Sequence, residues 1–588
     1  MERSLAADPS ALAAVARAAA PTGTSARSPI PDSHGINLFD ADPAAAPLFR
    51  LYLGAELFAH LEPRLRELGA LAGGRLDTLA AIADHHPPTL SVRTRTGIDE
   101  SRIDKHPAYV EMERLAFVDL GLAAMSHRPG VLGWPQALPP AAKYALTYLF
   151  VQAEFGLCCP VSMTDSLART LRRFGDPALV GRFLPQATTQ DFEHLAQGAM
   201  FMTEQAAGSD ISRTETVAVA QPDGSWSLTG DKWFCSNPDA GLAMVLARSE
   251  DAPGLKGLSL FLLPRRLEDG SLNRYRILRL KDKLGTRSMA SGEIRLDGAR
   301  AWLVGQRGLG FTQMADMVNN SRLSNGVRAA GLMRRALTEA IHVATHREAF
   351  GRRLVDLPLM RRQLDKMTVA TEQARTMVFQ TARALQASDE SGSSGQAYAL
   401  ARIMTPLIKF RACRDARRVT GDAMEVRGGC GYIEEWPDAR LLRDAHLGSI
   451  WEGTSNIVAL DVIRAIRREG SLAPLRDRVT TLLAEGLPCP EPLAALQGER
   501  IARTWALAEQ AAGSSDDAIA RQAASALYHV VTLAGLRYEA RAADRPERGR
   551  LADAVLRHRL AARDPLAFDT GNAGPGPALF EGSQALDE

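Results

Sequence analysis

SIWEGTSN, residues 449–456, places a carboxylate between an indole and a glycine: Glu452 follows Trp451 and precedes Gly453, with Thr454, Ser455 and Asn456 directly behind. Beyond them Ile457, Val458, Leu460, Val462, Ile463 and Ile466 recur at helical spacing. The Thr-Ser-Asn group therefore reads as an N-cap region, and Glu452 falls on the turn just ahead of a helix.

Working outward from that turn, helical periodicity fills the preceding segment from Phe311, through VRAAGLMRRALTEAIHVATHREAF, LPLMRRQLDKMTVATEQARTMVFQTARAL and YALARIMTPLIKFRACRDARRVTGDAMEV. With the helix after Asn456 these make a four-helix bundle over 311–468. Upstream, between 200 and 310, the texture changes to short runs with β character (TETVAVA, SWSLTGDKWF, GLAMVLAR, GLSLFLL, SGEIRLDG) broken by Gly, Asp and Pro, which predict a small antiparallel β-domain. Residues 36–199 read as helical and 469–568 as a helical extension. Residues 1–35, rich in Ala, Ser, Pro and Arg, read as an unstructured tail, with a transit peptide as the alternative, and 569–588 as a second tail. The fold class is mostly α with a central β-barrel.

The 588 residues exceed one compact core, and 70 basic against 68 acidic residues give no overall signal for a nucleic-acid or membrane partner. No apolar stretch approaches the roughly 18–20 residues that span a bilayer. Six scattered cysteines show neither zinc-site spacing nor a disulfide framework, so no metal is expected and a reducing, cytoplasmic setting is the default.

Four further motifs carry chemistry. In MTEQAAGSD (202–210), Gly208 lets the backbone approach a ligand, while Thr203 and Ser209 add hydroxyls beside main-chain N–H groups; alone, it fits an ordinary β-turn equally. DKWFCSN (231–237) offers Trp233 and Phe234 as an aromatic platform, or simply a core tryptophan in a sheet. THREAFGRRL (345–354) puts Arg347 three residues before Phe350 at a helix end, a guanidinium fork suited to a pyrophosphate; a helical Arg is as often ion-paired or solvated. EVRGGCGYIEEWPDARLLRD (425–444) sets Gly428, Gly429 and Gly431 in a loop between helices, and it is no dinucleotide fingerprint because no strand precedes it.

In this order, with SIWEGTSN last, the motifs resemble the acyl-CoA dehydrogenase family. TEQAAGSD fits the family's first signature through Asp210, departing where Arg213 replaces a small residue, and 425–444 fits the second throughout. The resemblance spans about residues 100–466. Within the family the KWF-S segment, LKDKLGTRSMAS (280–291), the MRRAL helix and the added C-terminal helices are most similar to the branch of the adaptive-response flavoprotein AidB.

That resemblance implies an N-terminal helical domain, a β-barrel and a helical bundle, assembled as a homotetramer (a dimer of dimers), with FAD held between domains and across a subunit interface. It implies that Met202, Thr203, Gly208, Ser209, Trp233, Phe234, Ser236 and Trp451 line the flavin, and that Arg347 and Phe350 reach a neighbour's FAD. Gly428, Gly429, Thr454 and Asn456 would contact the nucleotide, and Ser209, Arg322, Trp451 and Gly453 the acyl-CoA substrate. Cys235 stands where many relatives carry a flavin-bonding threonine, and Ser236 takes that task. Glu452 is the implied base that removes the α-proton of the thioester while a hydride leaves the β-carbon for the flavin; an apolar, aromatic setting raises a carboxyl towards the working range. Its backbone N–H would polarise the thioester oxygen, and Gly453 removes bulk between cofactor and substrate. Relatives that carry the base on the helix around SRLSNG differ here, because the position is Ser321. An electron-transfer flavoprotein is the implied electron acceptor.

A second function competes: an AidB-like flavoprotein that binds double-stranded DNA and protects it from alkylation. Residues 471–588 carry 13 Arg, no Lys and 16 Asp or Glu, which argues against simple phosphate binding. Between Arg537 and Arg563, however, eight arginines face four acids, and Arg545, Arg548 and Arg550 are the candidates for DNA. A solvated, ion-paired helix face or an oligomerisation module explains the same run.

Overall fold

The computed structural model describes residues 30–562 and Leu566. The tail predicted for 569–588 and most of that predicted for 1–35 lie outside these residues. The last residues of the expected unstructured tail are, however, integrated: Ser33 is buried and donates to Glu339, and the Gly35 N–H donates to the Gly73 carbonyl at 2.7 Å.

The N-terminal unit contains α1 (Ala45–Leu53), α2 (Ala55–Gly73) and α3 (Arg75–His85), then α4 (Pro107–Arg114), α5 (Pro140–Phe150), α6 (Cys158–Phe174) and α7 (Pro177–Thr188). In α2 the repeat Leu57, Leu61, Leu65, Leu68 and Ala72 turns one apolar stripe inward. A polar hairpin interrupts this predicted all-helical stretch: β1 (Thr89–Arg93) pairs antiparallel with β2 (Asp99–Asp104). Both strands are largely exposed, so no apolar alternation announced them.

The middle unit comprises β3 (Gly198–Phe201), β4 (Val217–Ala220), β5 (Trp226–Ser236), β6 (Leu242–Arg248), β7 (Leu258–Pro264), β8 (Tyr275–Leu280) and β9 (Ser291–Val304). Strands β6, β4, β5, β9 and β7 close a barrel, because β7 returns to β6. Leu228, Val245, Phe261, Ile294 and Leu296 fill its core. The sheet is not purely antiparallel as expected, since β3 runs parallel to β6 and β4 meets β6 in parallel at Val217 and Arg248. Closure removes the long exposed edges that five separate strands would present.

The bundle is formed by α8 (Gly310–His346), α9 (Pro358–Glu390), α10 (Gly395–Arg427) and α12 (Ser455–Glu469), with α11 (Pro437–Gly448) crossing between the last two. Helix α8 threads the N-terminal unit: a Cβ at Gly331 would lie 2.2 Å from Val151 Cγ1 and 2.8 Å from the Tyr148 carbonyl, so only glycine lets α5 come this near. The charged residues of the 425–444 signature are mostly buried joints. Arg427 bridges Glu339 and Asp438, Arg440 reaches Asp77, and Arg443 pairs with Asp84. Asp444 accepts the Thr286 N–H at 2.6 Å, tying the 280–291 loop to α11.

The extension packs as α13 (Leu472–Glu485), α14 (Glu491–Gly513), α15 (Ala520–Ala542) and α16 (Glu547–Val555) against the bundle. Arg548 is 1% exposed and pairs with Glu372 of α9 at 2.7 Å and with Glu539, beside the Arg375–Asp42 pair. This overturns Arg548 as a DNA contact, because its charge is spent in the interior. Arg537 is likewise buried against Asp553, and Arg545 pairs with Glu547, which leaves Arg550 exposed. Arg563 lies outside the described residues.

Two outcomes test these joints. Removing one partner of a buried ion cluster strands the others, so Arg548→Ala is expected to lower unfolding stability by about 3–5 kcal/mol in denaturant titration. Burial, reinforced by Glu154, raises the Asp444 carboxyl to about 7. Between about pH 4 and 7 the native state therefore holds a proton that the unfolded chain has released, and stability falls as pH rises through that window. Asp444→Asn, which keeps an acceptor for Thr286, should flatten the slope in unfolding curves recorded at pH 5 and pH 8.

Candidate active site

Thr454 occupies the position before α12, as the sequence implied, although its side chain makes no cap bond. Ahead of it the chain turns through two left-handed residues, Glu452 at φ +52° and Gly453 at φ +101°. A non-glycine residue here costs of order 1–3 kcal/mol unless its surroundings hold it. Two cations do so: Arg322 Nε donates to the Glu452 carbonyl at 3.0 Å, and Lys409 Nζ donates to the Gly453 carbonyl. Arg322 is itself fixed by Asp461 of α12 at 2.6 Å, a carboxylate shared with Arg402. Arg322, expected to contact substrate, is a positioning residue for the turn.

The Glu452 side chain returns to α8, where Ser321 Oγ donates to Oε1 at 3.0 Å. Burial raises this carboxyl above the ordinary glutamate range; the Ser321 hydrogen bond, then Arg322, Lys409 and Arg328, pull it part of the way back. Burial also lowers Lys409 to about 8. Beside Glu452, the Trp451 ring lies 6.2 Å from Phe155 and 5.3 Å from the Arg328 guanidinium.

The other motifs converge from the barrel. The Trp233 N–H donates to the Thr203 carbonyl at 2.9 Å, and buried Lys232 pairs with Glu204 at 2.6 Å, so the 202–210 loop is riveted to β5. Trp233 is half-buried, with Lys281 Nζ 3.4 Å from its ring centroid. Strand alternation sends Cys235 into the barrel core, whereas Ser236 faces the helical units beside the Cys159 thiol. At the bundle's end Arg347 donates to the Arg427 carbonyl at 2.9 Å, next to Gly428 at φ +75°. Phe350 is 94% exposed at the tip of a two-residue hairpin and touches none of this. Thr454 and Asn456 are exposed, and Asn456 accepts from Arg521 of the extension at 3.3 Å.

This set suits a flavin nucleotide. A half-buried indole wall, the Ser236 hydroxyl and a loop whose Gly208 has open space around it meet the needs of the ring. Gly429, where an added Cβ would touch nothing, together with Arg347 leaves backbone and a guanidinium for the phosphates. Ser321, Lys409, Asp461 and Arg328 were missed as site residues. Only helical register could have pointed to them, that of α8 for Ser321 and Arg328, of α10 for Lys409 and of α12 for Asp461, and a register identifies a face without saying what that face meets.

Three consecutive family models match the chain: the adaptive response protein AidB N-terminal domain over 29–194, and the acyl-CoA dehydrogenase middle and C-terminal domains over 199–299 and 308–467. Escherichia coli putative acyl-CoA dehydrogenase AidB is 34% identical over 408 residues, 68% of this chain and 72% of that one. The chain belongs to the acyl-CoA dehydrogenase family. As a member it is an oxidoreductase with FAD as its cofactor. Caenorhabditis elegans acyl-CoA dehydrogenase family member 11 is 32% identical over 459 residues, covering 76% of this chain and 73% of the relative. Among solved structures, Caenorhabditis elegans ACDH-11 in complex with C11-CoA superposes with a TM-score of 0.81 at 27% identity, over 92% of this chain and 93% of that one.

Removing the Ser321 donor should lift the Glu452 carboxyl further. In Ser321→Ala the acid limb of the pH–rate profile for flavin reduction is expected to move to higher pH, because the base must be ionised to work; stopped-flow reduction across pH 5–9 measures it.

Proposed function

We propose that this acyl-CoA dehydrogenase removes an α-proton from an acyl-CoA thioester with Glu452 as the base. One observation carries the reading: the Glu452 carboxyl on the SIWEGTSN turn is raised by burial and aimed by Ser321, while Arg322 clamps its own carbonyl and Lys409 that of Gly453. A base with a raised pKa matches an acidified α-C–H better than an ordinary carboxylate does. FAD supplies the hydride acceptor when bound. Trp233, Ser236 and the 202–210 loop would hold its ring, and Gly428, Gly429 and Arg347 its phosphates.

The exposed hairpin tip at Phe350 supports a homotetramer in which this residue reaches a neighbour's cofactor, and an electron-transfer flavoprotein is the acceptor class we assign. The DNA-protection reading has lost Arg548 to the interior and retains Arg550 as an exposed candidate.

Glu452→Gln is expected to keep the yellow flavin and to slow its anaerobic reduction by acyl-CoAs by at least about a hundredfold. Reduction at the wild-type rate would remove Glu452 from the reaction.

A further inference from the structure

Six arginines with less than 2% exposure are among the largest fully buried side chains. Five have carboxylate partners: Arg335 with Asp77 and Glu339, Arg375 with Asp42 and Glu372, Arg427 with Glu339 and Asp438, Arg537 with Asp553, and Arg548 with Glu372 and Glu539. Arg328 is the exception among the described residues. It is 0% exposed, its Nε makes one long bond to the Ser324 carbonyl at 3.4 Å, and neither Nη1 nor Nη2 has an oxygen or nitrogen acceptor; the weakly accepting Cys159 thiol is the polar group that reaches it. A buried guanidinium with no acceptor is costly, and such a group in a native fold calls for an explanation.

Its position supplies one. Ser321 and Arg328 are seven residues apart on α8, two turns along one face, which separates their Cα atoms by about 10 Å. Ser321 touches the Glu452 carboxylate, and Glu452 is partly exposed whereas Arg328 is sealed. Exposure thus falls from the base to the guanidinium, which folds back over Ser324 on the same face. Phe155 and Trp451 flank that guanidinium, each with its ring centroid 5.3 Å from Cζ, and the Cys158 and Cys159 thiols lie nearby. These walls exclude water, and the Glu452 carboxylate acts on the guanidinium only through space, without a hydrogen bond. A chain that enters past Glu452 and displaces the half-buried Trp451 ends on two free, forked N–H donors, the geometry that matches a carboxylate.

We propose that Arg328 determines specificity at the far end of the acyl site, and that the substrate class is a short acyl-CoA whose chain ends in an ω-carboxylate. This rests on the dehydrogenase reading above for the oxidation, but the recognition step is separable from it. The ω-carboxylate supplies the missing acceptor, and a terminal methyl in its place would leave the guanidinium unpaired, which is where strong discrimination arises.

The test measures binding without turnover. Holoenzyme carrying Glu452→Gln is titrated calorimetrically with matched pairs, pentanoyl-CoA against glutaryl-CoA and hexanoyl-CoA against adipyl-CoA. The carboxylate member of at least one pair should bind more tightly by about tenfold or more, and Arg328→Met in the same background should reverse that preference, while Arg328→Lys retains part of it. Equal affinities, or a preference that survives Arg328→Met, would overturn the assignment. So would affinities that are equal within each pair and rise when chloride is removed, which would give the guanidinium to an inorganic ion. Selective, Arg328-dependent binding with no flavin reduction in the enzyme that keeps Glu452 supports the role of Arg328 and overturns only the oxidation.

Discussion

Two cations gripping two consecutive carbonyls hold the site together. Glu452 and Gly453 sit in backbone conformations that an isolated turn would leave, and Arg322 and Lys409 hold their carbonyls from two different helices. Because Arg322 is anchored in turn by Asp461 of α12, the turn, the helix that follows it and the long α8 form one closed unit. The acidic side chain projects from that unit with its pKa raised by burial and moderated first by the Ser321 hydroxyl and then by Arg322, Lys409 and Arg328. Position and protonation are therefore set by the same few contacts.

The joints that bring barrel, bundle and N-terminal helices to this point are also ionic. The charged residues of the second signature are largely structural: Arg427, Asp438, Arg440 and Arg443 are in buried pairs, and Asp444 holds the barrel loop at Thr286. Glu204 and Lys232 do the same for the first signature, fixing the loop that carries Thr203 against the strand that carries Trp233. Breaking one partner of such a pair strands a charge in the interior, so these positions are demanding even where they never meet a ligand.

The C-terminal extension follows the same logic. Its most basic run looked like a surface stripe, yet Arg537 and Arg548 point inward and complete clusters with Glu539, Glu372 and Asp553. Arg521 reaches Asn456 at the start of α12, so the extension also touches the edge of the region assigned to the nucleotide. It is an integral layer of the bundle.

The sequence alone determined the order of helices, barrel and helices, the turn that carries Glu452, and the family, because periodicity and the spacing of Gly, Trp and acidic residues are local properties. It did not show the polar hairpin at 89–104, whose strands bury little, or the parallel β3–β6 pairing, which depends on residues some forty positions apart. Tertiary structure alone decided which charges are spent inside. Arg548 and Arg550 look alike in sequence, but one is sealed against Glu372 and the other faces solvent. Likewise Arg322 is bound to Asp461 while Arg328, on the same helix, meets no carboxylate. The physical reason is that an arginine's role depends on the acceptors that other segments bring within about 3 Å of it, and no local pattern encodes that distance.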